Sequence, residues 1–353
     1  MRKYILLYLL LLLHLAVFSQ TKKIILPVKN EFDKWGYIDT LGKLTIPYKF
    51  DSAFRFFEGK ALVANNSSEG TEYKFINPEG GKFGNSFFAY AQSYCNGMAL
   101  VRISPDDNSG IWGYMDAQGQ LFYFKDCLEA RNFNGGFAPV KWLNGWEFIN
   151  KKMNTVIHEK FDEVGAFSQG LCPVAFGFDT LRRWGYMNSL GQMVTTTTYL
   201  NAGEFHNNLA PVQLKTEVKL GRKTVSQKYY GYIGGNGDLL IPAKYQEASI
   251  FSEGLALVKL NGSLLFIDVL GNEEIHLDSG FVASNFHNGF AVLHRPNGNV
   301  CFIDKKGNIA FDFGFSLLTD FIEGFAFFTR SNGSQGYIDC SGSIIWETKP
   351  IKK

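Results

Sequence analysis

Lys34-Trp35-Gly36-Tyr37-Ile38-Asp39-Thr40-Leu41-Gly42 decides the fold, because the chain keeps returning to it. An aromatic residue followed by Ile or Met precedes a turn position at 39, 77, 116, 150, 188, 234, 268, 304 and 339, at intervals of 34 to 46 residues. A period of this size implies a stack or ring of small equivalent units, not a domain with one privileged cleft.

Each unit has a constant and a variable half. Three residues after the mark stands Gly in eight copies (42, 80, 119, 191, 237, 271, 307 and 342), Met153 being the exception. Asp or Asn opening a turn that ends in a left-handed Gly is a hairpin tip. Twenty residues after the mark (21 in one unit) comes G-x-A-x-V, as in Gly59-Lys60-Ala61-Leu62-Val63. An aromatic precedes that Gly by three, as Phe56, Tyr94 and Phe133 do, and a small residue such as Ala53 or Ala130 precedes the aromatic by three. This spacing predicts a corner of one helical or 3₁₀ turn. The strands are apolar on both faces, so neighbouring units must cover them. Pro27, Pro139, Pro173 and Pro211 mark an edge along the G-x-A-x-V strand. The motif Trp is expected in the packed core, Trp112→Ala then costing about 3–5 kcal/mol.

The expected fold is all-β: nine three-stranded meanders over residues 23–347, stacked as an open superhelical solenoid, with a closed propeller-like ring as the alternative. Residues 348–353 form a tail. Residues 1–19 read as a signal peptide, Arg2 and Lys3 preceding an apolar stretch too short for a membrane span. The expected location is therefore outside the cell or in the envelope, with no stable membrane insertion after cleavage.

Without Arg2 and Lys3 the chain carries 33 basic and 33 acidic residues, which argues against nucleic acid as a partner. Five cysteines at unrelated phases (95, 127, 172, 301 and 340) make no disulfide framework. The marking aspartates, one per unit, read as turn caps and not as metal ligands. His158, His276, His206 and His287 sit in non-adjacent units and do not converge on a metal. Asp106-Asp107-Asn108-Ser109-Gly110 lacks the downstream Glu of a calcium loop. No nucleophile, phosphate-binding or zinc-protease spacing occurs. Neither a cofactor nor an activity is expected.

Trp35-Gly36-Tyr37, Trp112-Gly113-Tyr114 and Trp184-Gly185-Tyr186, each continuing into D/N-x-x-G, resemble the WG-repeat (KWG) family. Lys34 to Asp39, with Gly42, Ile46-Pro47 and Phe50-Asp51, is similar to its full consensus. The resemblance implies a bacterial tandem β-repeat protein, often exported, acting as an interaction module with no catalytic residues to carry over. It weakens at Tyr73-Lys74, Trp146-Glu147 and Val300-Cys301.

Between G-x-A-x-V and the next mark the spacing varies from 10 to 22 residues, so recognition is expected in these loops. The longest, residues 215–228, holds Lys215, Lys219, Arg222, Lys223 and Lys228 against Glu217 alone, a basic tip for an anionic protein partner. Trp142 lies outside the repeated Trp position and reads as an anchor for a partner or sugar, or as packing against a neighbouring loop. The reading is an exported, non-catalytic scaffold for a protein partner. The alternatives are a carbohydrate-binding or carbohydrate-active envelope protein, and a structural spacer.

Overall fold

The computed structural model describes residues 24–103, 110–220 and 223–350. The expected signal peptide, the Asp106 loop up to Ser109, and Arg222 lie outside them. The described chain is all-β, arranged in antiparallel sheets, with one 3₁₀ turn at Asp179–Leu181.

Each mark closes a strand, and that strand is central to its sheet except at Arg183–Asn188, which is an edge. Trp35–Asp39 lies between Ile25–Lys29 and Leu44–Phe50. The mark then turns the chain: Asp39 Oδ1 accepts the N–H groups of Leu41 (3.0 Å) and Lys43 (2.9 Å), and Gly42 is left-handed at φ 77°. Both bonds recur at Asp116, Asn150, Asn188, Asp268, Asp304 and Asp339, and the second at Asn77, so the marks are turn caps. The Gly of the WG pair has a different cause. Trp35 pairs with Phe50 and Tyr37 with Ile46, so the third strand bulges across Gly36. A Cβ there would lie 2.6 Å from the Ile46 carbonyl oxygen.

The corner is not helical. It is a two-residue hairpin whose incoming arm adds a short fourth strand, as Glu129–Ala130 does beside Phe137–Trp142. Both turn residues are left-handed: Glu58 and Gly59 (φ 51° and 75°), Glu253 and Gly254 (52° and 90°), Asn288 and Gly289 (53° and 86°). This is the geometry of a primed hairpin turn. The Ala-to-aromatic spacing of three comes from a pairing irregularity between Ala53 and Phe56, which returns both side chains to the same core. A non-glycine residue in the left-handed region costs energy, and here its side chain fastens the next unit. Glu253 accepts the Gly289 N–H at 2.9 Å, Gln169 that of Asn208 at 2.9 Å, and Glu58 that of Gly97 at 2.9 Å.

Two of the prolines, Pro139 and Pro211, stand where a tyrosine takes the facing carbonyl; Pro173 faces Gly165 in a unit whose motif ring is Phe148. Tyr114 Oη donates to Arg131 O (2.6 Å), and Tyr186 Oη donates to Gly203 O (2.7 Å). Those corner carbonyls face Pro139 and Pro211, which have no N–H to offer. Tyr232 Oη takes Ser249 O in the same way (2.8 Å), but the facing residue is Leu257, and its N–H goes to Ser249 Oγ (3.0 Å). Thr319 and Ser284 accept the Phe327 and Val292 N–H groups by their hydroxyls too, although the motif rings of those units, Phe302 and Phe266, have no hydroxyl. The strand is therefore not a free edge, as expected from its prolines; proline stands where the donor would be orphaned.

Between sheets lie aromatic clusters. Tyr37, Ile46 and Phe50 of the first sheet pack on Phe56, Ala61, Val63 and Ile76 of the second. The same faces meet across the chain ends: Tyr337, with Phe327 and Trp346, packs on Leu26, Val28 and Ile38. Tyr337 Oη donates to Pro27 O at 2.8 Å, and Arg55 donates to the carbonyls of Ile322 (2.7 Å) and Phe325 (2.9 Å). The expected open solenoid requires its two ends to lie apart, and this contact corrects that expectation.

The motif Trp is a second correction. Trp35, Trp112 and Trp184 are half-buried, whereas Tyr37, Tyr114, Tyr186 and Tyr232 are fully buried. Tyr114→Ala is therefore expected to cost about 3–5 kcal/mol and Trp112→Ala about half as much, ranked by denaturant unfolding; the reverse ranking contradicts the packing. Burial also raises the phenols of Tyr37, Tyr114, Tyr186 and Tyr232, and pushes Tyr337 up to about 12 against the lowering effect of Arg55. The folded chain thus holds protons that the unfolded chain releases above a pH of about 10. Stability is full below that pH and falls as pH rises toward 12. Tyrosinate absorbance and circular dichroism are expected to change together in one alkaline transition; smooth ionisation of all the tyrosines with the fold intact is the opposing result.

Candidate functional site

A cavity of about 590 Å³ lies against four consecutive corners. Equivalent corner positions carry Gln92-Ser93, Arg131-Asn132, Gly165-Ala166 and Gly203-Glu204. Gly165 and Ala166 stand where the preceding corner has Arg131 and Asn132, and their small size leaves room. A Cβ on Gly165 would meet Pro173 Cγ at 2.5 Å, so nothing larger fits without moving that strand.

One wall is aromatic. Tyr90 and Trp112 meet edge to face with centroids 5.6 Å apart, and the Trp112 indole donates to Leu128 O (3.2 Å). The floor is polar. Arg131 lies 4.1 Å above the buried Trp146 ring and bonds Glu129 (3.3 Å), Glu163 (2.8 Å) and the Val164 carbonyl (2.5 Å). Asn132 Oδ1 is buried without a partner. Glu204 faces His206 at 3.8 Å.

The residues singled out from sequence lie elsewhere. The segment 215–228 is not a loop: Leu209–Leu220 and Lys223–Gly234 are twelve-residue strands paired along their length. Lys215 and Lys228 are exposed and directly opposite each other, and Lys219 is paired in register with Thr224. Lys223 opposes Leu220 at the tip. Trp142 is no exposed anchor. It is half-buried, edge-on to Phe124 at 6.1 Å, with its indole nitrogen buried and unpartnered.

No group of three metal-ligating side chains occurs among the described residues. The five cysteines are free thiols. Burial pushes Cys127 up to about 11 and raises Cys172 and Cys301, which keeps these thiols protonated at neutral pH and poor as nucleophiles. The cavity left little trace in the sequence, since its walls come from four units. Its one legible sign is Gly165-Ala166, the smallest pair at that corner position.

Five segments, residues 35–67, 148–177, 184–215, 230–263 and 302–332, match the WG containing repeat. The chain thus carries WG repeats at five positions along its length. No curated protein matches it. Among solved structures it is similar to the computationally designed Ika8 protein, at 14% identity over 72% of this chain and 85% of that one, with a TM-score of 0.42. BamB from Moraxella catarrhalis matches at 12% identity over 81% and 97%, with a TM-score of 0.41. The uncharacterized protein lmo1340 from Listeria monocytogenes EGD-e matches at 10% over 81% and 96%, with a TM-score of 0.43. These likenesses carry no argument about what the chain does.

Proposed function

We propose that the chain is an exported, non-catalytic scaffold whose nine units close into a propeller-like ring and present the 209–234 ribbon to a protein partner. The ribbon carries this reading. In the other units the two corresponding strands are five to eight residues long, against twelve here. Beyond Gln213 and Tyr230 the two strands pair only with each other, so both edges stand free of the sheet. Free edges accept an added strand.

Charge selects the partner. Lys215 and Lys228 are cross-strand neighbours of like sign, an arrangement that disfavours the isolated ribbon. An acidic segment laid along it relieves that repulsion. Equivalence of the units supports a scaffold over an enzyme, since repetition multiplies a surface and does not build one reactive centre. Export rests on residues 1–19.

Deleting residues 216–227 tests the reading. A protein retained by the full chain from an envelope extract is expected to be lost on deletion and on Lys215→Glu with Lys228→Glu, and to be released by salt. An identical set of captured proteins from all three chains overturns it.

A further inference from the structure

We infer that the ribbon takes an extended partner segment in which acidic and apolar residues alternate, an inference that rests on the ribbon being the partner surface. Register gives the ribbon two unlike faces. Successive side chains of a strand point to opposite faces, and cross-strand partners share one. Leu214 with Tyr229, and Thr216 with Gln227, therefore lie on the same face as Val225. Gln213 with Tyr230, Lys215 with Lys228, and Glu217 with Ser226 lie on the other. The base of the ribbon fixes which way each face looks. Leu214 and Trp184 pack on one cluster, which holds Tyr186 and Tyr199 of the preceding unit. Tyr230 packs on the cluster that holds Phe251 and Val258 of the following unit.

The face toward the preceding unit is apolar. Leu214 and Tyr229 are half-buried on it and Val225 is 40% exposed. The hairpin tip of that unit adds Phe178 and Leu181, 69% and 77% exposed, beside a 3₁₀ turn that buries none of its side chains. The face toward the following unit is cationic. Lys215 and Lys228 are exposed on it against Glu217, and Glu247 of the following unit is already paired with Lys259 at 2.8 Å. A strand added to either free edge continues both faces. One set of its side chains looks toward Val225 and the Phe178–Leu181 tip, and the alternate set looks toward the lysine pair. A wholly acidic segment would desolvate every second carboxylate against apolar surface. A wholly apolar one would leave the lysine repulsion in place.

Fluorescence anisotropy of the full chain is measured with three labelled peptides: Glu alternating with Val, the same composition with the Glu residues grouped, and Lys alternating with Val. The alternating Glu peptide is expected to bind saturably and about tenfold more tightly than the grouped one, and the Lys peptide is expected not to bind. Lys215→Glu with Lys228→Glu, and separately Phe178→Ser with Leu181→Ser, are each expected to weaken binding about tenfold. All four side chains are exposed, so neither change empties the core. Equal affinity for the alternating and grouped peptides, lost together on deleting residues 216–227, overturns the alternation and leaves the ribbon as the partner surface. Binding that survives the deletion overturns both. No saturable binding of the alternating peptide, or binding unchanged by Phe178→Ser with Leu181→Ser, overturns the inference. Ribbon-dependent binding to phosphatidylglycerol vesicles, or ribbon-dependent dimerisation, without peptide binding also overturns it.

Discussion

A β-sheet that is apolar on both faces cannot stand in water, and every sheet of this chain is built that way. Burial against two neighbours is therefore the condition for any unit to exist. The motif tyrosine concentrates the requirement: its ring fills the space between sheets while its hydroxyl reaches the corner carbonyl of the next unit. The Ile or Met that follows points to the other face and covers the unit before. One dipeptide thus bonds a unit in both directions, and the period is enforced by packing.

Polar bookkeeping follows from that geometry. Where Tyr114, Tyr186 and Tyr232 take the corner carbonyl, the strand N–H facing it is either absent, at Pro139 and Pro211, or accepted by a hydroxyl, as at Ser249. Substituting proline at one place and serine eight residues upstream at another are two solutions of one constraint. Where the first and last units meet, the Tyr337 hydroxyl reaches Pro27 O. Arg55 reaches over the gap to the last corner. Among the described residues the seam is held by side chains and apolar contact, with no exchanged strand.

Much of this was legible in the sequence. Turn chemistry is local, so the capping role of Asp39 and its equivalents was readable from D-x-x-G. So was the two-sided apolar strand. The corner was misread because a spacing of three also arises when a pairing irregularity returns Ala53 and Phe56 to one side. The depth of Trp112 is not legible because strand alternation gives its face and not its distance from the sheet edge. The ribbon reads as a loop because its charged residues mask a pairing that only register reveals. The cavity depends on which corners lie together, a relation between residues as distant as Tyr90 and Glu204 that no local pattern records.

The contact between first and last units is the point on which the account turns, and solution scattering of the folded chain tests it most directly. Closure predicts a single-peaked distance distribution and a radius of gyration near about 20 Å, the value for a compact chain of this length. A clearly larger radius, with a distance distribution trailing to the length of an arc, would show the ends apart and contradict it.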